Sequence, residues 1–204
     1  MQYPNFDYAQ LSPPSEPPEF DNYPSSPRIL EYLEAFAEEH DLVARIRFKA
    51  KVNRLIPTHD HWTIHYGDKA CASADAVVVC NGHYSVPNVP LLAGMDSFDG
   101  RLLHAREYIG PEGFSGQKVV VWGGNASALD LVREISGTAS HLFWCGHAPA
   151  MSDIAADLAR VSVCADPSRI AGSTVTLSSG EALEDVDVIL MCTCLLYTSP
   201  SPRD

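Results

Sequence analysis

The sequence predicts an α/β fold built around a parallel sheet, and three observations indicate it. An apolar strand at residues 118–122 leads through a glycine-containing turn into a helix at about residues 127–135, and a second strand follows at residues 141–144. Strand, helix and strand within about 30 residues form a βαβ unit. Further apolar segments of strand length lie at residues 161–164, 174–177 and 186–191. A chain of 204 residues, of which 46% are apolar, is large enough for one or two domains with a core.

The N-terminal part of the chain begins with an irregular segment and a helix. Residues 1–24 are rich in proline, tyrosine and phenylalanine without a period, which predicts an extended segment. Ser26 and Pro27 then predict a helix start, with Ser26 as the N-cap and Pro27 at the first helical position. Apolar residues follow at helical spacing and glutamates occupy the other face. We expect an amphipathic helix that ends near His40.

Strands are predicted in three places after this helix. Alternating apolar and polar residues predict strands at 45–55 and 62–66, and the apolar run 76–80 predicts a strand that is buried on both faces. His59, His61 and His65 are candidate metal ligands by residue type. Alternation places them on the polar face of a hairpin, and no further cysteine or carboxylate is spaced to complete a site, so we predict no metal.

The turn after residues 118–122 is similar to GxGxxG/A, the phosphate-binding fingerprint of Rossmann-like dinucleotide domains. Gly123 fits the first position, Ala128 fits the third, and Asn125 stands at the second. Asparagine is the non-glycine residue that best tolerates left-handed backbone angles, and Gly124 is the alternative for the close approach to phosphate. A helix N-terminus offers free N–H groups and a positive dipole to a pyrophosphate. The predicted nucleotide-binding residues are Gly123, Gly124, Asn125, Ala126, Ser127 and Ala128. The alternative is an ordinary strand–helix turn without a ligand.

The end of the next strand bears on the choice between NAD and NADP. An acidic residue at this place holds the ribose hydroxyls of NAD. Here the chain has Trp144, Cys145, Gly146 and His147, with neither an acid nor an arginine. The missing acid favours NADP, and His147 is the nearest candidate partner for its additional phosphate.

Charge and cysteine content restrict the partners and the compartment. A net charge of -12 opposes binding to nucleic acid and to anionic membranes. The sequence contains no apolar run of the roughly 20 residues that a membrane span needs, and its N-terminus lacks the features of a signal peptide. The six cysteines form no CxxC pair, which favours a reducing, cytoplasmic compartment. Membrane association through segments outside this chain stays open.

A second motif lies directly ahead of the turn. Residues 98–108, FDGRLLHAREY, match FxGxxxHxxxY through Phe98, Gly100, His104 and Tyr108. This resembles the identifying motif of flavin-containing monooxygenases. Residues 80–90, CNGHYSVPNVP, are similar to the ATGHYS-x-P-x-x-P segment of that family, and residues 187–193 resemble the strand that leads to its TGY motif. The resemblance extends over residues 1–193.

The resemblance implies a two-dinucleotide-domain flavoprotein that is truncated at both ends. It makes residues 1–90 part of an FAD-binding domain without its N-terminal GxGxxG turn, residues 91–112 a linker that carries the motif, and residues 113–193 an NADP-binding domain. It places Val52, Asn81 and Gly82 on the FAD side. The asparagine that supports the flavin in this family would lie upstream of Met1, so no catalytic residue is expected within the chain.

The function implied by the resemblance is that of an NADPH- and FAD-dependent monooxygenase. Such an enzyme inserts one oxygen atom of O2 into a soft nitrogen or sulfur nucleophile of a small substrate, as N,N-dimethylaniline monooxygenases do. The alternative is a Baeyer–Villiger monooxygenase, whose related motif has tryptophan followed by proline or aspartate where this chain has Tyr108 and Ile109. For the 204-residue chain by itself, the alternative is a nucleotide-binding module without catalysis.

The last eleven residues, CLLYTSPSPRD, are interpreted as an artefact. The string can be read back in frame into a transposase-type sequencing-library adapter. We therefore expect residues 194–204 to have no packed role, and the natural sequence to stop near Thr193.

Overall fold

The computed structural model describes residues 2–8, 11, 24–82, 85–146, 151–156 and 158–196. The chain divides into two compact units, Met1–Val79 and Cys80–Asp204. The assignment of residues 1–90, 91–112 and 113–193 to an FAD domain, a linker and an NADP domain stays a prediction. None of the described helices is both long and apolar enough to span a bilayer.

Helix α1 of the first unit, Ser26–Glu39, begins after a serine cap. The cap is Ser25, whose Oγ accepts a hydrogen bond from the Arg28 N–H at 3.4 Å. The prediction of Ser26 as the N-cap is therefore wrong by one residue, because it is the Ser25 hydroxyl that reaches the free N–H of the first turn. The predicted end is confirmed, since His40 is the C-cap.

An aromatic cluster attaches the start of the chain to α1. Tyr32 is buried and lies against Tyr3 and Phe6. Its hydroxyl donates to the Phe6 carbonyl oxygen at 2.8 Å and accepts from the Tyr3 N–H at 2.6 Å. A buried tyrosine is stable only when its hydroxyl finds partners, and here the backbone of the N-terminal segment provides them.

Three antiparallel strands, β1 (Val52–Pro57), β2 (Trp62–Tyr66) and β3 (Ala70–Ala74), form the sheet of the first unit. The predicted hairpin is confirmed, but the predicted strand 45–55 begins only at Val52. Arg45 instead ends a short 3-10 helix, and residues 48–49 form a turn in which Lys49 has a φ of 55° that no strand residue adopts.

The predicted strand 76–80 is wrong. Residues 76–80 have no strand conformation, and Val78 and Val79 are 84% and 66% exposed. A strand that is apolar on both faces needs neighbours in its sheet and layers on both faces. The described residues supply neither a paired strand nor covering layers to this segment, whereas β3, which ends two residues earlier along the chain, pairs with β2.

The second unit contains a five-stranded parallel sheet in the order β5-β12-β6-β7-β8. The elements of this unit are β4 (Val86–Pro87), β5 (Arg101–His104), β6 (Lys118–Trp122), α2 (Ala126–Ile135), β7 (His141–Cys145), α3 (Met151–Ala156), β8 (Val161–Cys164), β9 (Pro167–Ala171), β10 (Thr174–Leu177), β11 (Ala182–Leu183), β12 (Val188–Met191) and β13 (Leu195–Leu196). Helix α2 connects β6 to the adjacent parallel strand β7, which confirms the predicted βαβ unit and the α/β fold. The predicted strands at 161–164, 174–177 and 186–191 are confirmed as β8, β10 and β12. Strands β9, β10 and β11 form a separate antiparallel sheet.

The parallel sheet is buried on both faces, which explains the unbroken apolar run in β6. Val119 and Val121 pack with α2 in one cluster, and Val120 packs on the other face against Val175 and Ile189. All three valines are fully buried. Because successive side chains of a strand point to opposite faces, a strand between two layers has to be apolar at every position.

The first residues of the C-terminal segment have a packed role, contrary to expectation. Strand β13 pairs with β4 in an antiparallel ladder, and the Cys194 carbonyl oxygen accepts from the Asn88 N–H at 3.1 Å. The expectation is therefore wrong for residues 194–196, while residues 197–204 lie outside the described part of the chain. The origin of residues 194–204 from an adapter stays a prediction. The pairing involves main-chain groups, which any sequence can supply.

Candidate functional site

The predicted phosphate turn lies between the carboxyl end of β6 and the N-terminus of α2. Gly123 has a φ of 144°, and a Cβ at this position would lie 2.4 Å from the Cys192 carbonyl oxygen. The turn therefore runs so close to the end of β12 that only glycine fits. Gly124 follows, and Asn125 is the N-cap of α2.

Asn125 does not adopt left-handed backbone angles, so the tolerance of asparagine for such angles does not explain why it stands in the turn. Its φ and ψ are -95° and -176°, an extended conformation that most residues adopt. Its side chain makes no capping hydrogen bond, so the N–H groups of the first turn of α2 stay available. Ala128 is completely buried in the contact of α2 with the sheet, where the fingerprint requires a small residue.

A cavity of about 580 Å³ opens at the N-terminus of α2. Strands β7 and β8 follow on one side of β6, while β12 lies on its other side. This reversal of strand order is where open α/β sheets bind ligands. The polar lining consists of His104, Arg106, Asn125, Ser127 and Asp130. Two of the predicted nucleotide-binding residues therefore face the cavity, together with three residues of the linker, His104, Ala105 and Arg106.

His104 of the motif is 4% exposed and holds the linker against the end of the sheet. Its Nδ1 accepts from the Arg106 N–H at 3.2 Å, so the ring proton lies on Nε2, which donates to the Cys194 carbonyl oxygen at 3.0 Å. Its own backbone N–H donates to Glu107 Oε2 at 2.8 Å. Both ring nitrogens are thus occupied by contacts within the protein.

The other motif residues also have structural contacts. Phe98 packs against the core cluster between the parallel and antiparallel sheets, and a Cβ at Gly100 would lie 2.4 Å from the Asp187 carbonyl oxygen. The Tyr108 hydroxyl donates to Glu134 Oε2 at 2.7 Å, which ties the linker to α2. Burial and this hydrogen bond to Glu134 raise the pKa of Tyr108 well above its usual value. The motif therefore joins the linker to β12, to the residues after it and to α2.

The middle of the motif forms a strand, which is not predicted from the sequence. Residues 101–104 form β5, paired with β12 in parallel register from Arg101–Val188 to His104–Met191. Arg106 and Asp130 also line the cavity, and neither is among the residues predicted from the sequence. For Arg106 a signal existed, since it lies two residues after the motif histidine. For Asp130 only its position on α2, one turn after the phosphate turn, could have indicated it.

The end of β7 contributes a hydrogen bond that the sequence analysis also missed. Trp144 is 1% exposed, and its Nε1–H donates to the Gly123 carbonyl oxygen at 2.7 Å. The next residue, Cys145, accepts the Gly123 N–H at 2.8 Å through its carbonyl oxygen. His147, the candidate phosphate partner, lies outside the described residues.

The placement of Val52, Asn81 and Gly82 on the FAD side stays a prediction. Val52, Asn81 and Gly82 are exposed, and Gly82 has a φ of 67°. Among the described residues, no group of histidine, cysteine and carboxylate side chains is arranged to hold a metal ion. His59, His61 and His65 lie in and beside the β1–β2 hairpin.

Residues 10–155 of the chain match the protein family described as FMO-like: Flavin-binding monooxygenase-like. Flavin-containing monooxygenase FMO GS-OX5 of Arabidopsis thaliana is 38% identical over 146 residues, which cover 70% of this chain and 32% of that protein. The chain therefore spans about a third of the length of this curated relative.

Solved structures share the fold. S-allyl-L-cysteine S-oxygenase from Allium sativum is 27% identical with a TM-score of 0.69, over 87% of this chain and 42% of that one. Cyclohexanone monooxygenase, in a crystal structure with bound epsilon-caprolactone, has a TM-score of 0.72 over 84% of this chain and 58% of that one. Its identity is 15%, so this second likeness concerns the fold alone.

Proposed function

Because the chain belongs to the flavin-binding monooxygenase-like family, we propose that its cavity binds NADP and that the whole protein is an NADPH- and FAD-dependent monooxygenase. The observation that carries the proposal is the meeting of two motifs at one cavity. The linker motif supplies His104, the phosphate turn supplies Asn125 and Ser127, and all three line the same space.

The residues of the turn fit a pyrophosphate. Gly123 lets the turn pack tightly on the end of β12, because a Cβ there would lie 2.4 Å from the Cys192 carbonyl oxygen. The uncapped N–H groups at the start of α2 are donors for phosphate oxygens, and the helix dipole favours negative charge there. In this proposal Gly123, Gly124, Asn125, Ala126 and Ser127 hold the pyrophosphate, and the buried Ala128 lets helix and strand approach.

Arg106 is the cation that lines this cavity, and Asp130 is the carboxylate. Arg106 donates to the Ser85 carbonyl oxygen, which directs its side chain along the linker. A cation close to the turn favours an anionic dinucleotide, and it offsets the repulsion expected from a chain of net charge -12.

The linker histidine acts by position in this proposal. Bound FAD would supply the chemistry, which is to take a hydride from NADPH and activate O2. Transfer of an oxygen atom to an amine or a sulfide requires no abstraction of a proton from carbon. The one lone pair of the neutral His104 ring, on Nδ1, accepts from the Arg106 N–H and is therefore not free to act as a base. His104 holds the linker in place, and the linker forms the wall that excludes water from this side of the cavity.

We propose oxygenation of nitrogen or sulfur as the reaction. It is supported by the match through Tyr108 and by the likeness to the S-oxygenase, and residues 1–90 would then contribute Val52, Asn81 and Gly82 to the FAD side. Baeyer–Villiger oxygenation stays the alternative, and the likeness to cyclohexanone monooxygenase, at 15% identity, does not decide between the two reactions. A cytoplasmic location belongs to the proposal and is supported by the six free cysteines.

The test uses the full-length parent enzyme with NADPH, O2 and three substrates. We expect N,N-dimethylaniline and a methyl thioether to give N-oxide and sulfoxide, and cyclohexanone to stay unconverted. Conversion of the ketone to its lactone without reaction of the amine and thioether would replace the proposal by the Baeyer–Villiger alternative.

A variant separates positioning from acid–base catalysis. Replacing His104 with alanine should raise the share of NADPH that ends as hydrogen peroxide more than it slows flavin reduction, because the wall of the cavity loosens. His141→Ala removes a histidine that binds Ser162 Oγ at 2.9 Å, away from the linker, and is the matched control. Slower reduction with unchanged peroxide release in the His104 variant would contradict the positioning role.

A further inference from the structure

The peptide group between Gly123 and Gly124 is held more firmly than the rest of the turn. Its carbonyl oxygen accepts from Trp144 Nε1 at 2.7 Å, and the Gly123 N–H before it donates to the Cys145 carbonyl oxygen at 2.8 Å. Gly146 lies against the same peptide, since a Cβ there would meet the Gly123 carbonyl carbon at 3.0 Å. The last two residues of β7 and the glycine directly after it thus supply all three contacts.

The orientation of this peptide decides where its donor points. In a planar trans peptide the carbonyl oxygen and the following N–H point in opposite directions. The indole of Trp144, which packs in the core cluster beneath α2, holds the Gly123 carbonyl toward that cluster, so the Gly124 N–H points in the opposite direction. Within the described residues, no group accepts a hydrogen bond from that N–H. Glycine on both sides of a peptide lets it rotate with little steric cost, so an external contact has to fix it.

A tryptophan is well suited to this contact. Its side chain is fully buried in the cluster that contains Val121 and Ala128, and its N–H can donate in one direction only. A buried indole N–H without an acceptor would cost free energy. The packing that fixes the Trp144 ring therefore also favours its hydrogen bond to the Gly123 carbonyl oxygen.

We propose that Trp144 is a positioning residue for the dinucleotide, because its indole N–H fixes the Gly123–Gly124 peptide with the Gly124 N–H facing the pyrophosphate. The inference rests on the proposed binding of NADP at the turn. Trp144 lies outside the glycine fingerprint, near the end of the neighbouring strand β7.

The same strand pair offers a matched control. Trp122 lies at the end of β6 and donates through its Nε1–H to Asp166 Oδ1 at 3.1 Å, which does not involve the turn. Trp144→Phe and Trp122→Phe each remove one indole hydrogen bond and keep an aromatic ring. The two variants and the 204-residue chain are titrated with NADP+ and with 2′-AMP, which carries a phosphate but no pyrophosphate.

We expect Trp144→Phe to weaken NADP+ binding about tenfold, the loss of roughly one hydrogen bond, and to leave 2′-AMP binding unchanged. Trp122→Phe should change neither. Equal loss of both ligands in Trp144→Phe would show general damage and overturn the positioning role, and so would unchanged NADP+ affinity. An original chain that binds no NADP+ would overturn the nucleotide site itself.

A second measurement covers the case in which Trp144→Phe does not fold. The indole N–H signals of the original chain are followed by 15N NMR during NADP+ addition. The Trp144 signal should exchange slowly with solvent and shift more than those of Trp62 and Trp122. A Trp144 signal that stays unperturbed at saturation would overturn the proposal.

Discussion

Replacing Ala128 with leucine tests the nucleotide site through the packing beneath it. Ala128 is completely buried where α2 meets β6, so an isobutyl group has no space there. Overpacking of this kind costs about 1–3 kcal/mol of folding free energy unless the backbone moves. We expect the N-terminus of α2 to shift away from the sheet, because Ala128 lies in the first turn of this helix.

Such a shift removes donors from the phosphate. A hydrogen bond to a charged group contributes about 1.5–3 kcal/mol, so losing two of them costs about 3–6 kcal/mol. This corresponds to a loss of roughly 100-fold to 10,000-fold in affinity, and NADP+ binding should be abolished in practice. Isothermal titration of the purified chain with NADP+ measures it.

The matched control adds the same atoms where they meet solvent. Ala156, on α3, is exposed, so Ala156→Leu should leave both stability and NADP+ affinity unchanged. If Ala128→Leu binds NADP+ as well as the original chain, the site lies elsewhere. Urea denaturation shows whether the loss reflects the local shift or general unfolding.

Three further predictions follow from other contacts. The purified chain should retain no FAD. Its described residues contain one strand–glycine turn–helix unit, and we assign this unit to NADP. A flavin absorption band at a near-stoichiometric level would contradict this expectation. Tyr108→Phe should lower the unfolding free energy by about 0.5–1.5 kcal/mol, because it removes the hydrogen bond to Glu134 and keeps the ring. An unchanged midpoint of urea denaturation would mean that this hydrogen bond does not contribute to stability. Burial raises the pKa of Cys192 to about 12, so iodoacetamide at pH 8 should label the exposed Cys71 and leave Cys192 intact until the chain unfolds. The pKa of Cys192 is higher folded than unfolded, so its contribution to stability is present at neutral pH and is lost between about pH 9 and 12, which alkaline denaturation measures.

The phosphate turn could be predicted because its determinants are local. The apolar run of β6, the glycine after it and the amphipathic pattern of α2 follow one another within 20 residues, and each sets a local conformation. The position of Ala128 under the helix was predicted for the same reason. The conformation of Asn125 was not, because residue type limits backbone angles only in general terms.

The wrong predictions share a different cause. Residues 76–80 have the composition of a buried strand, but the described residues contain no strand that pairs with them. Residues 101–104 are predicted as part of a linker, but they form a strand because they pair with β12. In both cases the neighbour decides the structure, and it is distant in the sequence.

By itself the sequence determined the α/β class, the order of the main elements and the two motifs, because hydrophobic period and turn chemistry act over short stretches of chain. Only the tertiary structure decided which groups meet. His104 and the Cys194 carbonyl are 90 residues apart, and Trp144 reaches Gly123 from the next strand. These contacts depend on strand order and register, which place the carboxyl ends of β5, β12, β6 and β7 at one edge of the sheet. No local pattern encodes that order, since the energy that selects it comes from burying both faces of the sheet at once.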